Sequence, residues 1–192
     1  MSTSKIEVDI GLDVSTSVIG VCVSDHNTGQ MIDIYPIRMT STKFNDIWDK
    51  ADYFKMLFMS KILPSWTIKR IFVEDVAKMF SPGFSSAGTI IILAKMNAIV
   101  CLTAYQATGI KPTFVNVRSA RAQLGIKINT KDKTKSTKEK VFAEVLKMNP
   151  GFPWLQHVAK TGKNAGSMVY DTCNQDMGDA WVAVKGGQKL YP

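Results

Sequence analysis

Apolar and polar residues alternate along the first part of the chain with the two-residue period of β-strands. Ile6–Asp13 alternates at first and ends on a carboxylate, and Val18–Ser24 is a second β-rich run. The Ser15–Ser17 turn between them predicts a β-hairpin. Met31–Met39 supplies a third strand, which Pro36 restricts to a sheet edge or a bulge because proline has no N–H to donate.

The period then changes to that of helices. Apolar residues recur at helical spacing over Asn45–Leu63, and Pro64 is expected to stop this helix. Arg70–Glu74 is a short buried strand that also ends on a carboxylate. A long helix rich in Ala, Ile, Leu and Met is predicted from about Ser85 to Ala107, with Gly109 in the position that closes a helix.

The last third of the chain adds one strand and further helices. The expected elements are a strand over Pro112–Val117, a helical turn over Ser119–Leu124, a lysine-rich loop over Lys127–Lys135, a helix from the Ser136/Glu139 capping box to Asn149-Pro150-Gly151, and a final helix over Asp176–Val184 ended by Gly186-Gly187. Residues 152–170 give no clear pattern.

The order of these elements predicts an α/β fold in one domain spanning residues 1–192. Three meandering strands followed by alternating strands and helices indicate a five-stranded mixed sheet with helices on both faces. The strands that end on Asp13 and Glu74 should be central and adjacent, so that their carboxylates emerge at nearby points of the sheet.

Composition narrows the class of protein. Hydrophobic residues make up 45% of the 192 residues, enough for a core. The net charge of +8 favours a polyanionic partner, although a soluble basic protein would show it too. Three widely spaced cysteines form neither a disulfide framework nor a zinc site, which indicates buried thiols in an intracellular, reducing compartment.

Targeting and membrane signals are not expected. The polar N-terminus shows no secretory signal, and the apolar stretches near residues 90–104 are interrupted by Lys95 and Asn97. We therefore predict no membrane span.

Four carboxylates carry the candidate chemistry: Asp13, Glu74, Asp176 and Asp179. Each opens or closes a regular element, and the last two project to one side of a helix. Clustered carboxylates repel each other unless a cation neutralises them. Mg²⁺, with Mn²⁺ as a possible substitute, takes oxygen ligands and supports phosphodiester hydrolysis.

Each acid taken alone has a simpler interpretation. Asp13 would be a turn former, and Glu74 would pair with Lys78 on the surface. Asp176 would be a helix N-cap or an acid in the first turn that the helix dipole stabilises, and Asp179 would be an exposed surface residue. The nuclease interpretation is preferred because the four acids occur together in this order.

Three segments resemble the acidic motifs of the RuvC-type Holliday junction resolvases, members of the RNase H-like superfamily. They are Ile10–Gly20, Val73–Val76 and Asp176–Ala180. The resemblance extends over nearly the whole chain in order and spacing. It implies that the four acids are catalytic and bind Mg²⁺, and that the protein is a homodimer that cuts four-way DNA junctions.

Two features depart from that family. An aromatic residue close to the second acidic motif is expected, but Ala77 stands at the nearest place and Phe80 follows three residues later. Phe80 is therefore either a wedge in the junction or a core residue. Residues 152–170 form a longer connection than usual, in which Trp154, Lys160 and Lys163 are candidate DNA contacts. Asp171 is an alternate metal ligand.

A basic stretch precedes the last acids and predicts a DNA-binding surface, although such a run can also be a solvated face. The predicted DNA-binding residues are Arg118, Arg121, Lys127, Lys131, Lys133, Lys135 and Lys138, together with Phe80. The resemblance favours Lys138 for an active-site role. It also leaves the apolar helix at Ile90–Leu102 as either a dimer interface or core.

Three other functions remain open at this point. One is an RNase H-like nuclease that acts on RNA–DNA hybrids or other branched DNA. Another is a lobe of a sugar-kinase or actin-like ATPase, whose first strand reads similarly but which needs a second lobe. The third is a catalytically inactive nucleic-acid-binding module, which the intact acids disfavour.

Overall fold

A computed structural model describes residues 5–40, 43–75, 87–129, 131–132 and 134–192. Its main sheet has the order β3-β2-β1-β4-β5. The strands of this sheet are β1 (Glu7–Val14), β2 (Val18–Asp25), β3 (Met31–Arg38), β4 (Thr67–Glu74) and β5 (Thr113–Val115). β2 is antiparallel to both β1 and β3, whereas β4 is parallel to both β1 and β5. The predicted five-stranded mixed sheet is confirmed, and Pro36 lies on an edge strand.

Helices cover both faces of this sheet, and a small hairpin lies apart from it. The helices are α1 (Ile47–Leu57), a π-helical turn (Phe58–Ile62), α2 (Leu63–Ser65), α3 (Ala87–Thr108), α4 (Val117–Gln123), α5 (Thr137–Met148) and α6 (Cys173–Leu190), and the hairpin pairs β6 (Gln156–Val158) with β7 (Met168–Tyr170). The hairpin occupies the segment that shows no clear pattern in the sequence.

The strand β1 separates two hydrophobic clusters. Val8, Ile10 and Leu12 face one cluster, which α1, the π-helical turn and α3 complete. The alternate residues of β1 face α6, whose apolar residues join α4 and α5 in the second cluster. Because side chains alternate along a strand, Asp13 necessarily points to the α6 side.

Helix α3 is less buried than an ordinary core helix. Its face carrying Met96, Val100 and Ala104 is buried, while Ile91 and Leu102 are exposed. Its 22 residues are long enough to cross a membrane, and an 18-residue window within it has a mean hydropathy of 1.8, so it qualifies by length and composition alone. The prediction that no segment reaches this threshold is therefore wrong, since Lys95 and Asn97 interrupt the apolar stretches without lowering the mean enough.

Two predicted helix ends are also wrong. Pro64 does not stop the helix after α1, because α2 includes it. Gly186 and Gly187 do not end the last helix, which runs from Cys173 to Leu190. These glycines allow close packing instead: an added Cβ would lie 2.4 Å from Ala120 at the first position and 2.4 Å from Phe72 at the second.

Candidate metal centre

The pairing of two neighbouring strands places the first two acids together. Leu12 of β1 is opposite Val73 of β4 in parallel register, so Asp13 and Glu74 follow at the same edge of the sheet. Asp13 is buried, and the amide of Asn97 on α3 donates a 3.3 Å hydrogen bond to the backbone carbonyl of Glu74. The prediction that these strands are adjacent is confirmed.

Helix α6 brings the other two acids to the same edge, and two glycines permit its approach. A Cβ added at Gly20 would lie 2.1 Å from the backbone oxygen of Asp176, and one at Gly11 would lie 2.2 Å from that of Ala180. No side chain fits in either space. The Ile-Gly-Leu-Asp strand and the glycine of the return strand therefore have a steric function, because they let an acidic helix lie directly on the sheet.

Three of the four acids form a compact oxygen cluster. One oxygen each from Asp13, Glu74 and Asp179 lies within 4.8 Å of the other two. The Glu74 Oε2 atom is buried and has no hydrogen-bond partner among the residues that the structure describes. A buried carboxylate oxygen without a partner lowers the stability of the fold, and coordination to a divalent cation would supply that partner. The residues present thus fit a hard divalent ion.

Lys138 joins the fourth acid to this cluster. Its Nζ atom donates hydrogen bonds to Asp176 at 2.6 Å and to Asp13 at 3.0 Å, and lies 3.7 Å from Asp179. The lysine is placed by the first turn of α5, where the predicted Ser136/Glu139 capping box is formed. All four predicted acids are therefore in one centre, with Asp176 held through the ammonium group.

Arg121 contacts the other carboxylate oxygen of Asp179, the one that Lys138 does not approach. Its Nη2 atom donates a 3.1 Å hydrogen bond to Asp179 Oδ1, and the Arg121 side chain is largely buried. Sequence reasoning placed Arg121 among DNA-binding residues and missed this contact with an acid. No local signal identifies it, because the partner is 58 residues away.

Burial raises the pKa of the acids in this centre. Burial is the main reason that the pKa of Asp13 is raised to about 7, and Lys138 opposes part of this effect. Burial and the neighbouring Asp13 raise the pKa of Glu74 to about 8. The pKa of Asp179 is also raised by burial, against the effects of Lys138 and Arg121. These carboxylates are thus poorly neutralised by the protein alone.

The remaining predicted residues lie at varied positions. Arg118, Lys127, Lys131 and Lys135 are exposed, and Phe80 and Lys133, like the Lys78 partner suggested for Glu74, lie outside the described residues. Two further candidates are engaged elsewhere. Asp171 pairs with Arg38 at 2.8 Å. Trp154 is buried, and its indole N–H donates to the Asn149 carbonyl, so it belongs to the core.

A search of solved structures finds the same fold in Holliday junction resolvases. "T. thermophilus RuvC in complex with Holliday junction substrate" has a TM-score of 0.61 at 12% identity, with 94% of this chain and 91% of that chain covered. Another Thermus thermophilus RuvC structure has a TM-score of 0.55 at 11% identity, covering 93% and 92%. The yeast mitochondrial Holliday junction resolvase Ydc2 has a TM-score of 0.54 at 14% identity, covering 97% and 82%.

No family model and no curated protein sequence matches the chain. The similarity is therefore one of fold, and it confirms the predicted RuvC-type, RNase H-like architecture.

Proposed function

We propose that this protein is a metal-dependent endonuclease that cuts four-way DNA junctions. The observation that carries the proposal is the cluster of Asp13, Glu74 and Asp179 oxygens within 4.8 Å, in a fold shared with RuvC. A centre of this kind suits phosphodiester hydrolysis, because acidic ligands bind cations that in turn bind a phosphate.

Mg²⁺ is the ion that we propose, with Mn²⁺ as a substitute. Asp13, Glu74 and Asp179 would hold it, and Asp176 would contribute once Lys138 no longer occupies its carboxylate. When bound, the ion supplies Lewis-acid stabilisation and an activated water. The chain itself positions these carboxylates on β1, β4 and α6, where Asp13 and Asp179 are buried.

Branched DNA is the proposed partner, and the exposed basic residues near the centre favour it. Arg118, Lys127, Lys131 and Lys135 present cations to solvent on the α4–α5 side. The Lys140 Nζ atom contacts the Asn129 and Asp132 backbone carbonyls and thereby anchors this loop. Phosphate contacts of this type position DNA without reading its sequence.

A homodimer is the proposed assembly, because a four-way junction offers two related strands to cut. The exposed apolar residues of α3, including Ile91, Ile92, Leu102 and Tyr105, supply a candidate interface. A reducing intracellular compartment is also proposed, since Cys22, Cys101 and Cys173 are all free and buried.

Cleavage of synthetic junctions tests the nuclease proposal. The wild-type protein is expected to nick a labelled four-way junction in Mg²⁺ and not in EDTA. Asp13→Asn should abolish nicking while the variant still binds the junction, and the exposed Asp52→Asn serves as the matched control that retains activity. Binding that disappears together with cleavage would indicate a folding defect instead.

Parallel substrates separate the alternatives. Linear duplex and RNA–DNA hybrid are tested beside the junction, and preferential cutting of the hybrid would favour the other RNase H-like activity. Calorimetry with ATP tests the ATPase lobe. Binding of junctions by a correctly folded protein without cleavage in either Mg²⁺ or Mn²⁺ would favour an inactive binding module.

A further inference from the structure

A groove of about 390 Å³ lies beside the candidate metal centre, between α5 and the start of α6. Gln175 on its wall directly precedes Asp176, and Glu139 on the opposite wall directly follows Lys138. The Cα atoms of adjacent residues are about 3.8 Å apart, although the two side chains point in different directions around the helix. The groove therefore adjoins the backbone that carries Lys138 and Asp176 at the metal centre.

The walls of the groove are apolar and partly aromatic. Phe142, Ala143, Leu146 and Tyr170 form them. The rings of Phe142 and Tyr170 meet edge to face, with centroids 5.5 Å apart and planes at 78°. Phe142 is buried, whereas Tyr170 is 43% exposed. The contact thus fixes the position of the tyrosine and leaves part of its ring open to a flat ligand.

Polar groups without partners lie at the rim of the groove. Thr172 is the N-cap of α6 but makes no side-chain capping bond. In the described part of the chain, the Gln175 amide group has no hydrogen-bond partner either. Apolar walls with a few available polar groups are typical of small-ligand sites.

The acids that line the groove already accept hydrogen bonds from other groups. Asp171 pairs with Arg38 at 2.8 Å and accepts from the Cys173 backbone N–H. Glu139 accepts the Ser136 backbone N–H within the capping box. Lys135 at the rim is exposed. The charges of Asp171 and Glu139 are thus offset by Arg38 and Lys135, so the groove does not repel a ligand attached to a polyanion.

We infer that the groove receives one unstacked nucleobase of the DNA strand held at the metal centre. This inference rests on the proposed function, because it takes the strand to pass Asp176. Tyr170 would stack on the base, and the Gln175 amide would bond to its edge, as glutamine does with adenine. The groove then gives the enzyme a preference for the base beside the cut.

Removal of single bases, combined with substitution of Tyr170, tests this inference. Junctions that carry one abasic site at each position around the branch are bound to the wild type and to Tyr170→Ala, with Ca²⁺ in place of Mg²⁺. The same oligonucleotides are also tested as single strands. Trp48→Ala is the control, since Trp48 is 65% exposed on α1, across the sheet from the groove.

We expect one abasic position to weaken wild-type binding about tenfold and Tyr170→Ala to do the same. Together the two changes should weaken it little further, because both remove one contact. Gln175→Ala should reduce the preference among the four bases at that position, and Trp48→Ala should change neither result.

The outcomes separate this inference from the proposed function. If junctions are cut but the effects of base removal and Tyr170→Ala add at every position, the groove is not a base site and the nuclease stands. If junctions are neither bound nor cut but the coupling appears in single strands, the groove stands and the junction proposal fails. Additive effects on both substrates overturn the inference outright.

Discussion

Glu74→Gln should stabilise the metal-free protein at alkaline pH. Glu74 lies at the end of β4 beside Asp13, and its buried Oε2 atom lacks a hydrogen-bond partner within the described residues. Its ionised form is therefore poorly compensated in the folded state. Glutamine has nearly the same shape, and it removes the charge.

The magnitude follows from the pKa of Glu74, which rises from 4.5 to about 8 on folding. Folding stability falls as the pH rises between these two values, because the folded state then holds the proton that the unfolded state has lost. Each pH unit corresponds to about 1.4 kcal/mol, so the ceiling at pH 8 is about 5 kcal/mol. An unpaired glutamine amide costs about 1–3 kcal/mol. We expect a net gain of about 2 kcal/mol at pH 8 and a net loss of about 1 kcal/mol at pH 5, because the cost of the amide does not depend on pH.

Chemical and thermal unfolding in EDTA measure this difference. A gain of about 2 kcal/mol corresponds to a rise in Tm of roughly 4–8 °C for a chain of this size. Glu7→Gln is the matched control, because Glu7 forms an exposed ion pair with Lys69 and should change stability by less than about 1 kcal/mol. A variant that is no more stable than wild type at pH 8, or equally changed at pH 5 and pH 8, would refute the reasoning.

Three further perturbations test other parts of the structure. Thermal unfolding should show that Mg²⁺ at 100 times its Kd stabilises the wild type by about 2.7 kcal/mol at pH 8. At pH 5 the stabilisation should be much smaller, because Asp13 and Glu74 are then protonated. Equal stabilisation at the two pH values would contradict this. Gly20→Ala places a Cβ 2.1 Å from the Asp176 carbonyl oxygen. Denaturation should therefore show that the free energy of unfolding falls by about 3 kcal/mol, and Mg²⁺ should stabilise the variant less than the wild type. An unchanged free energy of unfolding would mean that α6 lies further from the sheet. Asp9→Asn removes the charge of a buried carboxylate that pairs with Arg70 at 2.8 Å. Urea unfolding should show that the free energy of unfolding falls by about 2–3 kcal/mol. An unchanged value would show that solvent satisfies Arg70.

The central part of the fold was predictable from the sequence because it depends on local patterns. Alternation along β1 and a buried run in β4, each ending on an acid, led to the correct prediction that Asp13 and Glu74 are neighbours. Pro36 correctly indicated an edge strand. The capping box of α5 was also predictable, since both of its residues lie within four positions.

The length of α6 was not predictable, because glycine has two opposite structural uses. Gly186 and Gly187 were interpreted as a helix end, a common role for glycine. In the fold they face Ala120 and Phe72 at distances that exclude a side chain. Only the tertiary contact reveals which use applies.

The partners of distant charges were also hidden, although the family resemblance had favoured Lys138 for an active-site role. The pairing of Arg121 with Asp179, and the placement of Lys138 between Asp13 and Asp176, depend on how α4 and α5 pack on α6. The sequence shows a basic stretch and an acidic helix but not which members meet. A partial signal existed in Asn97, a polar residue on an apolar helix that proves to support the Glu74 backbone.

Anomalous diffraction from crystals grown with Mn²⁺ at pH 8 examines the cation-binding role of the acids most directly. The account predicts a peak coordinated by oxygens of Asp13, Glu74 and Asp179, with the Lys138 ammonium displaced from Asp176. Well-ordered acids that remain bonded to Lys138, with manganese bound only elsewhere or nowhere, would contradict it.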